Sequence, residues 1–222
     1  MVSLNDWGAL GGVVGRATNS YWEVPVISGI KAPPTSDQMK HFGAALASFG
    51  SVAMFHIPGI TPEARNEAEA FHGSIPAQST KITQDEIAAF YRQYEAKDEK
   101  ADVVVFAAPQ LSLLEMEQVA NLVAGRTVHS ETTLIVTTSP EIKFASDRMG
   151  LTDKIERAGG MVLSGVCFYQ SYAREMAEAN GWSRLVTNSA KLVNIIGGYG
   201  YRPTLLSMEE GIDSAVSGRI AQ

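Results

Sequence analysis

Three small polar residues and a lysine stand where an apolar run ends late in the chain. The segment reads Val-Thr-Asn-Ser-Ala-Lys, residues 186–191, within SRLVTNSAKLVNIIGGYG. Such groups can cap a helix, bind the oxygens of an anion, or pair a nucleophilic serine with a lysine. Ser189 and Lys191 are two positions apart, so a helix would place them on different faces, and the Ser-x-x-Lys spacing is not met. The cap and the anion site stay open.

Hydroxyl and amide groups recur after the other predicted strands as well. Ligands of parallel α/β sheets gather at the carboxyl ends of the strands, and such groups suit the oxygens of a polar anion. Acidic residues are scarce there, which does not favour a two-carboxylate glycosidase. Helix capping, however, prefers the same residue types. The strand-end residues are Ser28, Gly29, His56, Gly59, Thr61, Pro109, Gln110, Ser112, Thr137, Thr138, Ser139, Cys167, Thr187, Asn188, Ser189 and Lys191.

The elements that must position these residues alternate between strands and helices. Strands are predicted over residues 23–30, 51–59, 101–109, 132–140, 160–170 and 184–189, and helices over 35–50, 61–73, 83–96, 112–125, 141–150, 151–160, 190–198 and from 207. Capping-box pairs mark four helix starts, at Thr35, Thr83, Ser112 and Ser207. The alternation predicts an α/β fold with largely parallel sheets and helices on both faces.

Two lobes are expected. The charged stretch YEAKDEKAD suggests a junction near residue 100, with a first α/β lobe over residues 1–100 and a second over 101–222. The first 30 residues are rich in glycine and aromatic residues and show no clear period before Glu23. They are interpreted either as an ordered loop or as a start partway through a larger architecture.

Composition excludes several classes of function. The net charge of −6 over 222 residues gives no sign of a nucleic-acid or anionic-membrane surface. No apolar run reaches the roughly 18 residues of a spanning helix, and no signal peptide is visible. One cysteine excludes an internal disulfide framework and fits a reducing compartment, so the cytoplasm is expected. No Walker A, Gly-x-Gly-x-x-Gly or Gly-x-Ser-x-Gly motif occurs.

Single candidates keep two interpretations each. His56 precedes a Pro-Gly turn and is either a structural histidine or a catalytic or substrate-binding one, and Cys167 is either an inert thiol or a functional one. His41, His72 and His129 have no partner motif and are taken as structural or surface residues.

Seven segments together resemble the catalytic portion of the aconitase X family. They read DWGALGGVVGR, VPVISGI, LASFGSVAMFHIPGITPEA, APQLSLLEMEQVANLVAGR, IVTTSPEI, ERAGGMVLSGVCF and VTNSAK, and FHIPGITPEA and TNSAK are the most specific. The resemblance implies a dehydratase related to aconitase that acts on cis-3-hydroxy-L-proline or mevalonate 5-phosphate. It also implies two partners, a further N-terminal portion and a small swivelling domain or subunit.

The same resemblance implies a metal centre and a set of site residues. Family members hold iron or an iron–sulfur cluster with three cysteines; one belongs to the further N-terminal portion, one falls where this chain has Ala108, and the third matches Cys167. For catalysis the resemblance implies His56, Ser189 and Lys191, and for substrate binding it implies Thr61, Glu63, Thr187, Asn188 and Lys191.

The sequence therefore leads to three hypotheses. The first is a hydro-lyase of the aconitase X type that removes water from a small hydroxy acid such as cis-3-hydroxy-L-proline, with a partner chain or swivelling domain. The second is a non-catalytic subunit that binds a carboxylate or a partner, which the absent thiol at Ala108 favours. The third is a dehydratase of a phosphorylated hydroxy acid such as mevalonate 5-phosphate.

Overall fold

The chain forms two compact units, Met1–Phe90 and Tyr91–Gln222, in a computed structural model that describes residues 4–96 and 99–221. Residues 97 and 98 of the charged stretch expected to join two lobes lie outside the described residues. Within those two described ranges, no helix combines the length and the apolar character that crossing a bilayer requires.

The first unit is built from helices. They are α1 (Leu4–Thr18), α2 (Ser36–Gly50), α3 (Glu67–Ala70) and α4 (Gln84–Arg92), the last of which runs into the second unit. Helices α1 and α2 lie so close that a Cβ atom on Gly50 would be 2.0 Å from the carbonyl oxygen of Gly15. Only glycine allows such an approach between two backbones. The glycine-rich start of the chain is therefore a helix, and the prediction of a loop there was wrong.

Two predicted strands are absent from the described part of the first unit. Residues 23–30 and 51–59 form a single parallel bridge, between Val26 and His56. Pro25 has no N–H to donate to a ladder, and Val24 and Met54 are exposed, so the pairing of the two segments does not extend beyond this bridge. The helix predicted over 61–73 is also shorter, because it begins only after Asn66, whose side chain accepts from the N–H of Glu69 at 2.9 Å.

Aromatic packing holds this unit together. Trp7 of α1 meets Phe42 of α2 edge-on at 5.9 Å between ring centroids, and Phe42 meets Phe55 at 4.9 Å. Leu46 and Ile57 complete the buried cluster. Because Phe55 and Ile57 flank His56 in sequence, this core fixes the backbone that carries the histidine.

The second unit is a five-stranded parallel sheet. Its strands lie in the order β3-β2-β1-β4-β5. They are β1 (Val103–Leu111), β2 (Thr133–Thr138), β3 (Gly160–Ser164), β4 (Arg184–Thr187) and β5 (Arg202–Leu205). Strand β5 was not predicted; it contains Pro203, which an edge strand tolerates.

Helices cover both faces of this sheet. Val104 and Phe106 of β1 share one core cluster, and Val103 and Val105 share the other, as alternation along a strand buried on both faces requires. Helices α5, α7 and α10 supply the first cluster, and α8 and α9 supply the second. The helices are α5 (Leu113–Leu122), α6 (Pro140–Arg148), α7 (Leu151–Arg157), α8 (Ala173–Asn180), α9 (Ala190–Ile196) and α10 (Met208–Ser217). The predicted α/β fold is confirmed, although α8 was missed.

Serine and threonine side chains begin these helices as expected. Ser112 and Ser207 form complete capping boxes with Glu115 and Glu210, and Thr35 does so with Gln38. At α4 the N–H of Thr83 donates to the Glu86 carboxylate at 2.7 Å. Each box satisfies two backbone donors that the helix leaves unpaired, so these sequence signals were confirmed.

Strand β1 is irregular at its carboxyl end. Phe106 pairs with Val136 and Leu111 pairs with Thr138, so β1 takes five residue steps where β2 takes two. We call the intervening residues 107–110 the β1 bulge. Within it Ala108 has a φ of 52°, and the Ala108–Pro109 peptide is cis. Bulges of this kind re-aim side chains and are frequent beside functional sites.

The close approach of α1 and α2 predicts opposite effects for two glycines of α2. Gly50→Ala would force the two backbones apart and should destabilise the chain by about 3 kcal/mol, the upper range for overpacking. At Gly43 a Cβ would meet only Phe55, at 3.6 Å. Gly43→Ala should therefore be neutral or stabilising by up to about 1 kcal/mol through helix propensity. Urea unfolding of both variants measures the difference; similar losses would contradict the proposed backbone contact.

Candidate functional site

The order of the strands reverses between β1 and β4. From β1 the chain winds outward through β2 and β3 on one side and reaches β4 and β5 on the other. The carboxyl ends of two such strands leave a crevice between their diverging loops, where doubly wound proteins bind ligands. We call the corresponding position in this sheet the crevice; it lies between the β1 bulge and the buried residues Thr187, Asn188 and Ser189, which end β4 and lead into α9.

Ser189 links both sides of this crevice. Its hydroxyl accepts from the N–H of Leu192 at 3.0 Å, which caps α9, and donates a short hydrogen bond to the carbonyl oxygen of Ala108. Its own N–H donates to Thr187 Oγ1 at 3.2 Å. The residue is buried, so both bonds lie away from water. Ser189 thus positions the start of α9 against the β1 bulge, and its proton is engaged in this arrangement.

Lys191 brings a positive charge to the same edge. It is the second residue of α9 and half-buried, and its Nζ lies 6.0 Å from the ring centroid of Tyr169. No Asp or Glu side chain of the described residues forms an ion pair with it. A cation in the first turn of a helix does not stabilise that helix. The ammonium group is therefore available to an anionic ligand.

A thiol and a phenol lie on the neighbouring loop. Cys167 directly precedes a short 3-10 helix, Phe168–Gln170. Burial raises the pKa of Tyr169, and the neighbouring Cys167 and Tyr199 raise it further. The side chain of Gln110 in the β1 bulge donates to the carbonyl of Val166 at 3.0 Å and so joins this loop to the bulge. Cys167 is therefore a half-buried thiol in contact with Tyr169.

Sequence reasoning missed Tyr169. The residue follows Cys167 by two positions in the segment Cys-Phe-Tyr-Gln. Because it stands within an apolar run, its sequence context is that of an ordinary core residue. Its proximity to Lys191 depends on how the loop after β3 meets α9, which no local pattern records.

Two buried polar groups at this edge have no partner. Among the described residues, neither Thr137 Oγ1 nor Asn188 Nδ2 makes a hydrogen bond. Buried polar groups are nearly always paired, so unpaired ones require an explanation. Both stand at strand ends that the sequence identified, on β2 and after β4 respectively.

The remaining predicted site residues lie together in the first unit. The Thr61 hydroxyl accepts from the N–H of Ile57 at 3.0 Å and donates to the carbonyl of Ile57 at 3.3 Å, which closes a turn. Glu63 is exposed in the same loop. His56 is half-buried, and its Nδ1 is buried without a partner among residues 4–96 and 99–221. An unpaired imidazole nitrogen can accept or deliver a proton when a ligand meets it.

The described residues do not fit an iron–sulfur centre. No three His, Cys, Asp or Glu side chains within them come together as a metal site. Cys167 is the single thiol of the sequence, whereas such clusters are held by several cysteine thiolates. The chain can offer at most one ligand of the usual type, and the place expected for another holds the methyl group of Ala108.

Comparison with known proteins assigns both units. Two family models match the chain, the aconitase X second domain over residues 1–92 and the aconitase X third domain over residues 101–217. The chain belongs to the aconitase X family. The resemblance drawn from the sequence segments is thereby confirmed.

Several aconitase X relatives are similar along most of this chain. A cis-3-hydroxy-L-proline dehydratase of Pseudomonas aeruginosa is 30% identical, over 89% of this chain and 34% of its own length. A phosphomevalonate dehydratase large subunit of Methanocaldococcus jannaschii is 32% identical, over 83% of this chain and 43% of its own length. The matches thus span between a third and a half of these relatives.

A solved structure agrees with these matches. The crystal structure of Thermococcus kodakaraensis aconitase X in its holo-form is 26% identical, with a TM-score of 0.80. The similarity covers 96% of this chain and 52% of that one.

The double role of Ser189 predicts a larger loss than a helix cap alone would give. Ser189→Ala removes a cap, worth about 1 kcal/mol, and also leaves the buried Ala108 carbonyl without this donor, which costs about 1–3 kcal/mol more. Ser207→Ala, which removes a cap of α10 only, should cost about 1 kcal/mol. Urea unfolding of the two variants measures both losses. Equal losses would mean that the bond to Ala108 contributes nothing.

Proposed function

We propose that this chain provides the substrate-binding edge of an aconitase X hydro-lyase that removes water from a small hydroxy acid. The observation that carries the proposal is the charge of Lys191, which has no ion-pair partner within the described residues and follows the buried residues Thr187, Asn188 and Ser189 at the end of β4. A carboxylate is the ligand that this combination favours, because an ammonium group and neutral donors together stabilise its negative oxygens.

Elimination of water requires three groups. One anchors the carboxylate, one removes the proton next to it, and one assists departure of the hydroxyl. Lys191 with Asn188 and Thr187 supplies the anchor. In the first unit, His56 is the group proposed for proton transfer, since its Nδ1 has no partner within the described residues. Ser189 can take part only after its hydroxyl leaves the Ala108 carbonyl, so its role begins with a local rearrangement.

The substrate class follows the relatives in part. Relatives named for cis-3-hydroxy-L-proline and for phosphomevalonate are similar to this chain at nearly equal identity. Both compounds carry a carboxylate and a hydroxyl, and this shared chemistry is what the crevice would bind. We propose cis-3-hydroxy-L-proline as the first substrate to test and mevalonate 5-phosphate as the second.

The large-subunit relatives also suggest a partner. Their name implies an assembly with a small subunit. For this chain we propose that turnover requires such a partner or a swivelling domain, together with the remaining portion of the relatives that it does not match. Cytoplasmic location is part of the same proposal.

A second candidate function is a binding subunit without catalysis. The metal-ligating residues favour this candidate, since the single thiol of the chain does not fit an iron–sulfur centre. In this candidate function the chain binds a carboxylate at Lys191 but does not eliminate water. Binding and turnover therefore have to be measured separately.

Binding is tested through the charge. Lys191→Met keeps the length of the side chain and removes its ammonium group, so affinity for cis-3-hydroxy-L-proline should fall about tenfold to a hundredfold, the range of a charged hydrogen bond. Lys154→Met, at an exposed position of α7, is the matched control and should bind normally. Isothermal titration calorimetry measures both. Equal affinity of the two variants would remove Lys191 from the site.

Turnover is tested by reconstitution. We expect water elimination from one of the two compounds when the chain is combined with iron, sulfide, the small subunit of an archaeal relative and the portion of that relative's large subunit that this chain does not match. The purified assembly should then contain iron. Coupled detection of the dehydrated product and metal analysis give the readouts. Binding without turnover and without iron in every combination would leave the non-catalytic subunit as the function.

A further inference from the structure

Thr137 and Thr138 are adjacent residues with the same side chain, but their hydroxyl groups differ in hydrogen bonding. Both side chains are fully buried at the end of β2. Thr138 Oγ1 donates to the carbonyl of Leu111 at 2.7 Å and so holds β1 to β2. Thr137 Oγ1 has no partner among the described residues. A structural role explains the burial of the Thr138 hydroxyl but leaves that of the Thr137 hydroxyl unexplained.

The register of the sheet places Thr137 beside the β1 bulge. It lies between Val136 and Thr138, whose partners on β1 are Phe106 and Leu111. The residues of β1 opposite Thr137 are therefore those of the bulge. Thr137 borders the bulge from the β2 side.

Asn188 borders the bulge from the β4 side. It is 2% exposed and follows β4 directly, and the next residue, Ser189, donates to the bulge at Ala108. Asn188 Nδ2, like Thr137 Oγ1, is buried without a partner in the described part of the chain. The buried side chains of the bulge, Ala107 and Ala108, are methyl groups, which offer no hydrogen bond to either residue.

We propose that Thr137 is a further substrate-binding residue, which together with Asn188 binds oxygen atoms of the hydroxy acid across the β1 bulge. The proposal rests on the proposed function of this edge. The Asn188 amide nitrogen only donates, so it suits a carboxylate oxygen, whereas the Thr137 hydroxyl can donate to a carboxylate or accept from an alcohol. A compound that carries both groups satisfies both residues.

The ligand reaches these atoms when the bulge moves. Neither atom is accessible to water in the present arrangement. Side-chain bonds hold the bulge in place, among them those from Ser189 to the Ala108 carbonyl and from Gln110 to the Val166 carbonyl. Ala108 also occupies the left-handed region of φ, which is unfavourable for alanine and is retained mostly at functional sites. Exchange of these bonds for bonds to the ligand opens the crevice and satisfies the two unpaired groups.

Two isosteric variants of the full chain test the proposal. In Thr137→Val no hydrogen bond of the free protein is lost, so the melting temperature should stay the same or rise by a few degrees, since an unpaired buried hydroxyl is removed. Affinity for cis-3-hydroxy-L-proline, or for mevalonate 5-phosphate where that compound binds, should fall about tenfold. Thr138→Val should show the reverse, a melting temperature lower by about 2–4 °C and affinity within about twofold of the parent.

Calorimetric titration and thermal unfolding of the parent and both variants separate the outcomes. L-proline, which lacks the hydroxyl, identifies the ligand group: an equal loss for both ligands assigns Thr137 to the carboxylate, and a loss for hydroxyproline alone assigns it to the alcohol. Unchanged affinity in Thr137→Val overturns the inference while the proposed function stands. A drop in its melting temperature like that of Thr138→Val also overturns it, because the hydroxyl then serves the fold. A parent chain that binds neither substrate overturns the proposed function and this inference together.

Discussion

The hydroxyl of Ser189 makes the bond on which the geometry of the candidate site depends. Strand β1 pairs with the parallel strand β4 at its amino end, Val103 with Leu185 and Val104 with Val186. Beyond that pairing, the bond from Ser189 to the Ala108 carbonyl holds the end of β4 against the β1 bulge, and the same oxygen caps α9. The position of Lys191 in the first turn of α9 follows from that cap. One side chain therefore couples the bulge, the helix start and the charge.

Several unfavourable local features lie at this edge of the second unit. Elsewhere in the unit α5 and α10 begin with complete capping boxes, and the central strand is buried on both faces by packed apolar side chains. At the crevice, Ala108 adopts a left-handed conformation, and Lys191 adds a positive charge where the helix dipole is already positive. Within the described residues, Thr137 Oγ1 and Asn188 Nδ2 also lack hydrogen-bond partners. Each feature costs stability, and together they are better explained by binding than by folding, since sites selected for function are commonly less stable than the scaffold around them.

Local patterns predicted the second unit well and the first poorly, for a physical reason. The apolar run of β1 and the capping boxes at Ser112 and Ser207 are signals that a segment carries by itself. Helix α1 depends instead on contact with α2 at Gly15 and Gly50. Its buried face is therefore lined partly by glycines, and the sequence lacks the apolar pattern that usually predicts a helix. At the site, Ser189 and Lys191 were visible from sequence because they follow a strand. The position of Tyr169 near Lys191 and the unpaired state of the Thr137 hydroxyl result from tertiary packing, so no single segment of the sequence predicts them.

Binding makes fewer demands on this chain than elimination does. A carboxylate anchor needs one cation and a few donors, and the second unit places Lys191, Thr187 and Asn188 along a single strand end. Proton transfer needs a titratable group, the role proposed for His56, whose Nδ1 has no partner within the described residues. Departure of the hydroxyl needs an acid or a Lewis acid, and residues 4–96 and 99–221 bring together no three metal-ligating side chains for the latter. The carboxylate anchor, the proton-transfer group and the acid therefore do not have to come from the same residues. A chain can keep the carboxylate anchor even when its turnover depends on groups supplied from outside the described residues. The charge at Lys191 is then the feature that a binding subunit and a catalytic one would have in common.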